Sequence, residues 1–255
     1  MYNQNKDFER AYFDNAASSG HYDVASQSYY DFLLKKLSEN KIFLKGSVLE
    51  AGCGEGIFGK FLLKKFSDIK VCGVDISEKM VEIANDGTSN YSAIVGDLEY
   101  EALFPGGSFD CVFCPFILHH FIGLEPVFKN LNHWLKTGGV LICLEPNGSN
   151  VINKISNIVK KVIMFFLGKD FVVKYGLATP NEKAHSIKNY QQLLANNNFG
   201  KVVVYSELLL NKDGGGLLFR FIVNIKRGLF IVFRFLFPNS LYSGNELFIL
   251  AKKIK

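Results

Sequence analysis

The sequence has no dense run of basic residues, no internal repeat, no low-complexity linker and no charged-then-apolar leader at its start. Its formal charge of +5 is modest, and lysines scattered through helical stretches do not build the stripe that a nucleic-acid footprint needs. No nucleic-acid partner is expected. The opening stretch MYNQNKDFERAYFDNAASSG lacks the layout of a secretory signal, so a cytoplasmic location is expected. Cysteine is sparse and odd in number, five in all. Cys53, Cys72, Cys111 and Cys143 sit in or beside strand-like runs, where a thiol packs as a small hydrophobe. Cys111 and Cys114 do spell C-x-x-C, but three positions apart on a strand they face opposite sides, and no second ligand pair accompanies them. No metal site is expected.

What is present is apolar: 48% of the 255 residues are hydrophobic, enough to fill a sizeable core in one large domain, 1–255, carrying insertions. From residue 45 to 146 short apolar runs alternate with amphipathic ones, the pattern of a mostly parallel sheet covered by helices on both faces, an α/β Rossmann-like fold. GSVLEAG reads as the first strand, KVCGVDIS as the second, YSAIVGDLE as the third, SFDCVFCPF as the fourth and GVLICLEP as the fifth. Between them run FGKFLLKKFS, EKMVEIAND with Ser77 as N-cap, and LEPVFKNLNHWLK, read as ending at Thr137, Gly138 and Gly139. KVVVYSELLL and NELFILAKKI supply two more strands, making seven. Around this core (41–146) lie a helical, aromatic-rich lid (1–40), a helical insertion with a helix capped by Ser186 (147–200), and the last two strands with an apolar insertion (201–255).

The stretch VLEAGCGEGIFG carries two meanings. From Gly54 it reads G-x-G-x-x-G, the dinucleotide fingerprint, and Asp75 stands about where a ribose-binding acid would. From Glu50 it reads as an acid followed by G-x-G-x-G. A carboxylate at Glu50, where the strand feeds the loop, would repel a pyrophosphate but attract an amino group, so the ligand looks cationic there. Asp97, in VGDLE, is placed to accept from an adenine amine, and Ile76 and Leu98 follow the two acids as apolar brackets for a ring. Acids at successive strand ends, beyond which open α/β sheets bind their ligands, make a coherent nucleoside site.

Through VLEAGCGEG, VCGVDIS, VGDLE, FDCVFCPFILHHF and LKTGGVLICLEP the chain resembles the class I S-adenosylmethionine-dependent methyltransferases, in particular the small-molecule branch that includes quinone-biosynthesis enzymes. The resemblance implies S-adenosylmethionine as cofactor. It places Glu50, Gly52, Gly54 and Gly56, with Cys53 among them, at the methionyl part, Asp75 at the ribose hydroxyls, Asp97 at the adenine, and the Cys114 backbone at the amino end. A non-catalytic nucleoside- or partner-binding protein and a nicotinamide-dependent oxidoreductase are the alternative readings.

Methyl transfer needs the nucleophile held about 3 Å from the methyl carbon in a dry pocket. A base helps when the acceptor is a hydroxyl or an acidic carbon. His119 and His120 follow the fourth strand; His119 reads as base or substrate contact, His120 as more structural, and His185 as a further candidate lining residue. The text CPFI lacks the side-chain amide that grips a nucleobase amine, so oxygen, or second to it carbon, is the expected acceptor.

Residues 217–237, LLFRFIVNIKRGLFIVFRFLF, place Arg220, Arg227 and Arg234 seven apart with Asn224 near the same line, which predicts a helix with one polar stripe and a wide apolar face. Residues 151–167 are built alike, with Lys154, Lys160 and Lys161. Cations within both runs make spanning a bilayer costly. The readings are a cap on a greasy substrate pocket, peripheral contact with the inner face of a membrane, or a homodimer interface or ordinary core. A small, apolar or lipid-linked acceptor is expected.

Overall fold

The computed structural model describes residues 5–19, 27–168, 183–209, 217–238 and 240–254. Seven strands form one sheet in the order β3-β2-β1-β4-β5-β7-β6: β1 Gly46–Ala51, β2 Ile69–Asp75, β3 Tyr91–Val95, β4 Phe109–Pro115, β5 Leu135–Pro146, β6 Phe199–Glu207 and β7 Glu246–Lys253. The first five strands run parallel. β7 is antiparallel to both β5 and β6.

Alternation along the strands divides the interior in two. Leu49, Val112, Cys114, Leu141, Cys143 and Ile249 point into one core, with Phe128 and Trp134 of α5 (Glu125–Trp134) and Tyr190 and Leu194 of α7 (Ile187–Asn196). Val48, Cys111, Phe113, Ile142, Leu144 and Phe248 point into the other, with Leu33 of α2 (Gln27–Glu39) and Phe58 and Leu62 of α3 (Ile57–Lys65). Cys111 and Cys114 thus lie on opposite faces, as the period of two requires. All five cysteines are free.

The helix caps fall where the sequence puts them. Ser77 Oγ accepts from Met80 N at 3.2 Å to start α4 (Glu78–Ala84), and Ser186 Oγ accepts from Asn189 N at 3.2 Å to start α7. Two expectations change. Thr137-Gly138-Gly139 do not close α5: the chain turns extended already at Leu135 (φ −69°, ψ 140°). Instead they fill a bulge in β5, where pairing with β4 jumps from Phe109–Leu135 to Cys111–Val140. Among the described residues of the expected lid, only those of α1 (Lys6–Ser19) line the cleft. α2 buries Tyr29, Phe32, Leu33 and Leu37 in the core, because its apolar residues outnumber what a lid could leave exposed.

Two further helices, α6 (Val151–Leu167) after β5 and α8 (Leu217–Leu236) between β6 and β7, pack on each other. Pro146 pairs with Glu246, and Glu246 with Glu207. Both helices therefore spring from the same sheet edge as the carboxyl ends of β1 to β5.

Candidate functional site

Strand order reverses between β1 and β4, and a cleft of about 950 Å³, its open mouth included, lies at that reversal. The glycine loop between β1 and α3 forms its floor. Gly52 N and Cys53 N both donate to Val74 O, at 2.8 and 2.9 Å, tying the loop to β2. Gly52 sits at φ +69°, and a side chain there would collide with Ile117; Gly56 starts α3 at φ +76° against the Tyr91 hydroxyl. Only glycine takes these conformations in so little space.

Gly52, Cys53, Gly54, Asp75, Ile76, Asp97 and Leu98 all line this cleft. Glu50 does not. Its carboxylate, 1% exposed, turns behind the loop and accepts from Gly59 N at 2.9 Å and the Tyr91 hydroxyl at 2.8 Å. Burial pushes its pKa up to about 7, against the opposing pull of those two hydrogen bonds. It braces the glycine loop against α3 and β3, which leaves no direct contact with the cleft for the attraction to a ligand amine expected of it, directly or through water. Gly56 likewise lies behind the cleft wall, its role being to turn the chain into α3. Cys114 is buried within β4, and the wall at that strand tip begins one residue on, at Pro115.

Asp75 binds the loop with one oxygen and α4 with the other: Oδ2 accepts from Gly54 N at 2.9 Å and Oδ1 from Ser77 N at 3.0 Å. Burial raises its pKa. A carboxylate has about four acceptor sites, so the backbone donors of Gly54, Ser77 and Ile76 leave it acceptor capacity for a ligand hydroxyl. Asp97 accepts from Glu99 N through Oδ1 at 3.0 Å, while Oδ2 meets the Lys6 ammonium, which also reaches Glu99. Burial lowers the pKa of Lys6, but the hydrogen bonds and charges of the two acids outweigh it and raise the value.

Lys6 belongs to α1, whose inner face closes the cleft at several points. Glu9 Oε1 stands 3.2 Å from His120 Nδ1, and Phe13 meets the His120 ring edge-to-face at 5.3 Å between centroids. Arg10 donates to Ile76 O at 3.2 Å, and Asp14 accepts from Ser77 Oγ at 2.5 Å. His120 therefore lines the cleft as a contact of the lid.

His119 is not among the residues lining the cleft. Its Nδ1 lies 2.9 Å from Glu145 Oε2, and the fully buried Glu145 carboxylate also accepts from the backbone N–H groups of Ile117, Leu118 and His119 at 2.9, 2.7 and 3.1 Å. A carboxylate so placed is an acceptor for an Nδ1–H and holds the ring's orientation. Glu145 was missed in the sequence, although it is the one acid after the apolar run VLICL at a strand end. His185 is corrected: it is buried, with Nε2 bonded to Phe121 O at 3.0 Å and Nδ1 accepting from Asn189 Nδ2 at 3.2 Å, and burial lowers its pKa. It staples the post-β4 turn to α7 and is not among the residues lining the cleft. Among the described residues no group of three or more His, Cys, Asp or Glu is arranged to hold a metal ion.

Sheet order, glycine loop and strand-tip acids together make a Rossmann-like architecture. Residues 48–139 match the family model described as "Methyltransferase domain", and the resemblance to the S-adenosylmethionine-dependent family is borne out over that segment. The chain is 29% identical over 143 residues to malonyl-[acyl-carrier protein] O-methyltransferase of Priestia megaterium, covering 54% of this chain and 51% of that protein. It is 31% identical over 124 residues to demethylmenaquinone methyltransferase of Thermotoga maritima, covering 48% and 54%. The chain thus spans about half the length of these curated relatives. A SAM-dependent methyltransferase structure from Thermotoga maritima superposes with a TM-score of 0.61 at 18% identity, over 97% of this chain and 100% of that one. Phosphoethanolamine N-methyltransferase 2 of Haemonchus contortus, in complex with S-adenosyl-L-methionine, gives 0.56 at 19% identity, over 87% and 53%. At these identities the structures establish the fold.

Proposed function

We propose that this protein transfers a methyl group from S-adenosylmethionine to an oxygen, or second to it a carbon, of a small apolar or lipid-linked acceptor, with His119 as general base. The arrangement that carries the proposal is the His119–Glu145 pair at the tips of β4 and β5, beside a cleft that suits a nucleoside.

The cleft fits the cofactor on three counts: close backbone approach at Gly52 to Gly54, spare acceptor capacity on Asp75, and apolar brackets at Ile76 and Leu98. Asp75 would hold the ribose hydroxyls, Ile76 and Leu98 the adenine ring, and the glycine loop the methionyl part. Asp97 would share its oxygens between Lys6 and the adenine amine. Bound there, the cofactor supplies an electrophilic methyl carbon on a sulfonium. His119 Nε2 would take the proton of an acceptor hydroxyl as its oxygen attacks, and Glu145, already paired to Nδ1, stabilises the imidazolium that results. The acid at Glu145 is kept in place by three backbone donors, so the imidazole need not reorganise as charge develops.

The test is incubation of the protein with methyl-labelled S-adenosylmethionine and a cell extract, followed by separation into lipid and aqueous fractions. Label should enter the lipid fraction. His119→Ala should lower kcat by about 10²–10⁴ with cofactor affinity unchanged. Glu145→Gln should shift the pH profile of kcat as well as lower it. Label confined to polar products would refute the apolar acceptor, and full activity of His119→Ala would refute the base.

A further inference from the structure

The helices α6 and α8 each expose an apolar stripe. On α8 Arg234 turns toward the protein: it donates to Ser243 Oγ at 2.8 Å and lies 3.4 Å from Glu207, with Phe230 buried on the same side. Its opposite side, Ile225, Leu229, Val232 and Leu236 at helical spacing, is exposed, and Phe235 beside it is 83% exposed. On α6 Ile152 and Asn153 are turned inward. Val151, Ile155, Ile158, Val162 and Phe165 run in one stripe along the outside, Phe165 at 83% and Phe166 at 75% exposure. Exposed Lys154 and Lys161 flank that stripe.

From this we infer that the paired outer faces of α6 and α8 dock on the surface of an anionic lipid bilayer. Charge selects this occupant. Neither helix contains an Asp or Glu; Lys154 and Lys161 are exposed beside the α6 stripe, whereas Arg234 is turned to Glu207. A two-fold pairing of copies would set the same patch against itself and bring cations together with no acid on either helix to receive them. A layer of acidic headgroups over acyl chains meets both the exposed lysines of α6 and the apolar stripes of the two helices. Among the described residues no helix is long and apolar enough to cross a membrane, so the pair lies on the bilayer. Since both helices rise from the carboxyl edge of the sheet, docking would bring that edge, with His119 and Glu145, toward the lipid surface.

The inference stands apart from the transferase reading and is tested without turnover. The full chain is sedimented with phosphatidylcholine vesicles with and without phosphatidylglycerol. Binding is expected to the phosphatidylglycerol vesicles and to weaken with salt. Lys154→Ser and Lys161→Ser should each lower the partition coefficient about fivefold, from about 1 kcal/mol per cation. Phe165→Ala and Phe235→Ala should each lower it about tenfold. These side chains are exposed, so circular dichroism and cofactor titration should be unchanged in every variant. Absence of vesicle binding overturns the inference, as does binding indifferent to both phosphatidylglycerol and the two lysines. A dimer in sedimentation velocity that Phe235→Ala dissociates, without vesicle binding, also overturns it and assigns the face to a second copy. Vesicle binding with no methyl transfer leaves the inference intact and refutes only the activity.

Discussion

Replacing Glu50 by Gln should make the protein more stable at pH 8 and leave it little changed at pH 4.5. In the folded chain the Glu50 carboxyl titrates near 7, against 4.5 for an ordinary glutamate, because burial disfavours its charge. Between those values the folded state holds a proton that the unfolded state has lost, so stability falls as pH rises through the window. At about 1.4 kcal/mol per pKa unit the loss amounts to about 3 kcal/mol, complete above pH 7. Gln at this position accepts from Gly59 N with its carbonyl and donates from its amide to the Tyr91 oxygen, so both partners stay satisfied. The assay is urea unfolding of both proteins from pH 4.5 to 8, and the quantity read is the difference between their free energies, in which other titrating groups largely cancel. That difference should grow by about 3 kcal/mol in favour of the variant. Parallel profiles would refute the argument, since they would mean that Glu50 titrates alike folded and unfolded.

Asp75→Ala should weaken binding of S-adenosylmethionine at least tenfold by calorimetry, at about 1.5–3 kcal/mol for each hydrogen bond to a charged group; unchanged affinity would remove Asp75 from the ribose. NAD should not bind. Lys6→Ala should speed cofactor release up to about fivefold in stopped flow, the scale of a partly exposed ion pair, because it unpins α1 from Asp97 and Glu99. An unchanged release rate would show that α1 does not hold the cofactor in.

Much of this was legible because it rests on local periodicity. Leu49, Val112 and Cys143 alternate with Val48, Cys111 and Ile142 along their strands, and that period alone announces a sheet covered on both faces. Ser77 and Ser186 cap helices through a contact three residues away. What stayed hidden depends on residues distant in the chain. The Glu50 carboxylate is held behind the loop by Tyr91, 41 positions on, and nothing near Glu50 in sequence tells that it faces inward. The Glu145 contact with His119 spans 26 positions, and Lys6 meets Asp97 across 91. His185 looked like a residue ahead of a helix cap; it is buried because the turn after β4 comes to rest on it. The glycines of β5 misled for a different reason: Gly138 and Gly139 follow an amphipathic helix, where a cap is the common use, but the bulge needs them more.

The sheet order explains why one edge can serve both the nucleoside and a greasy acceptor. Acids and glycines at the tips of β1, β2 and β3 occupy one half of that edge, and the His119–Glu145 pair stands at its middle, in the turn after β4 and at the end of β5. Because β7 runs antiparallel, the β6–β7 connection returns at the carboxyl edge. Residues inserted in that connection are confined to the other half of the edge, as are residues following β5. This chain uses both places, for α8 and for α6, and gives both an exposed apolar stripe. An insertion at the opposite edge would add the same apolar surface without any bearing on the cleft. Two independent insertions that share an edge, a charge sign and an exposed apolar stripe are accounted for together if the acceptor half of the site works at a lipid surface.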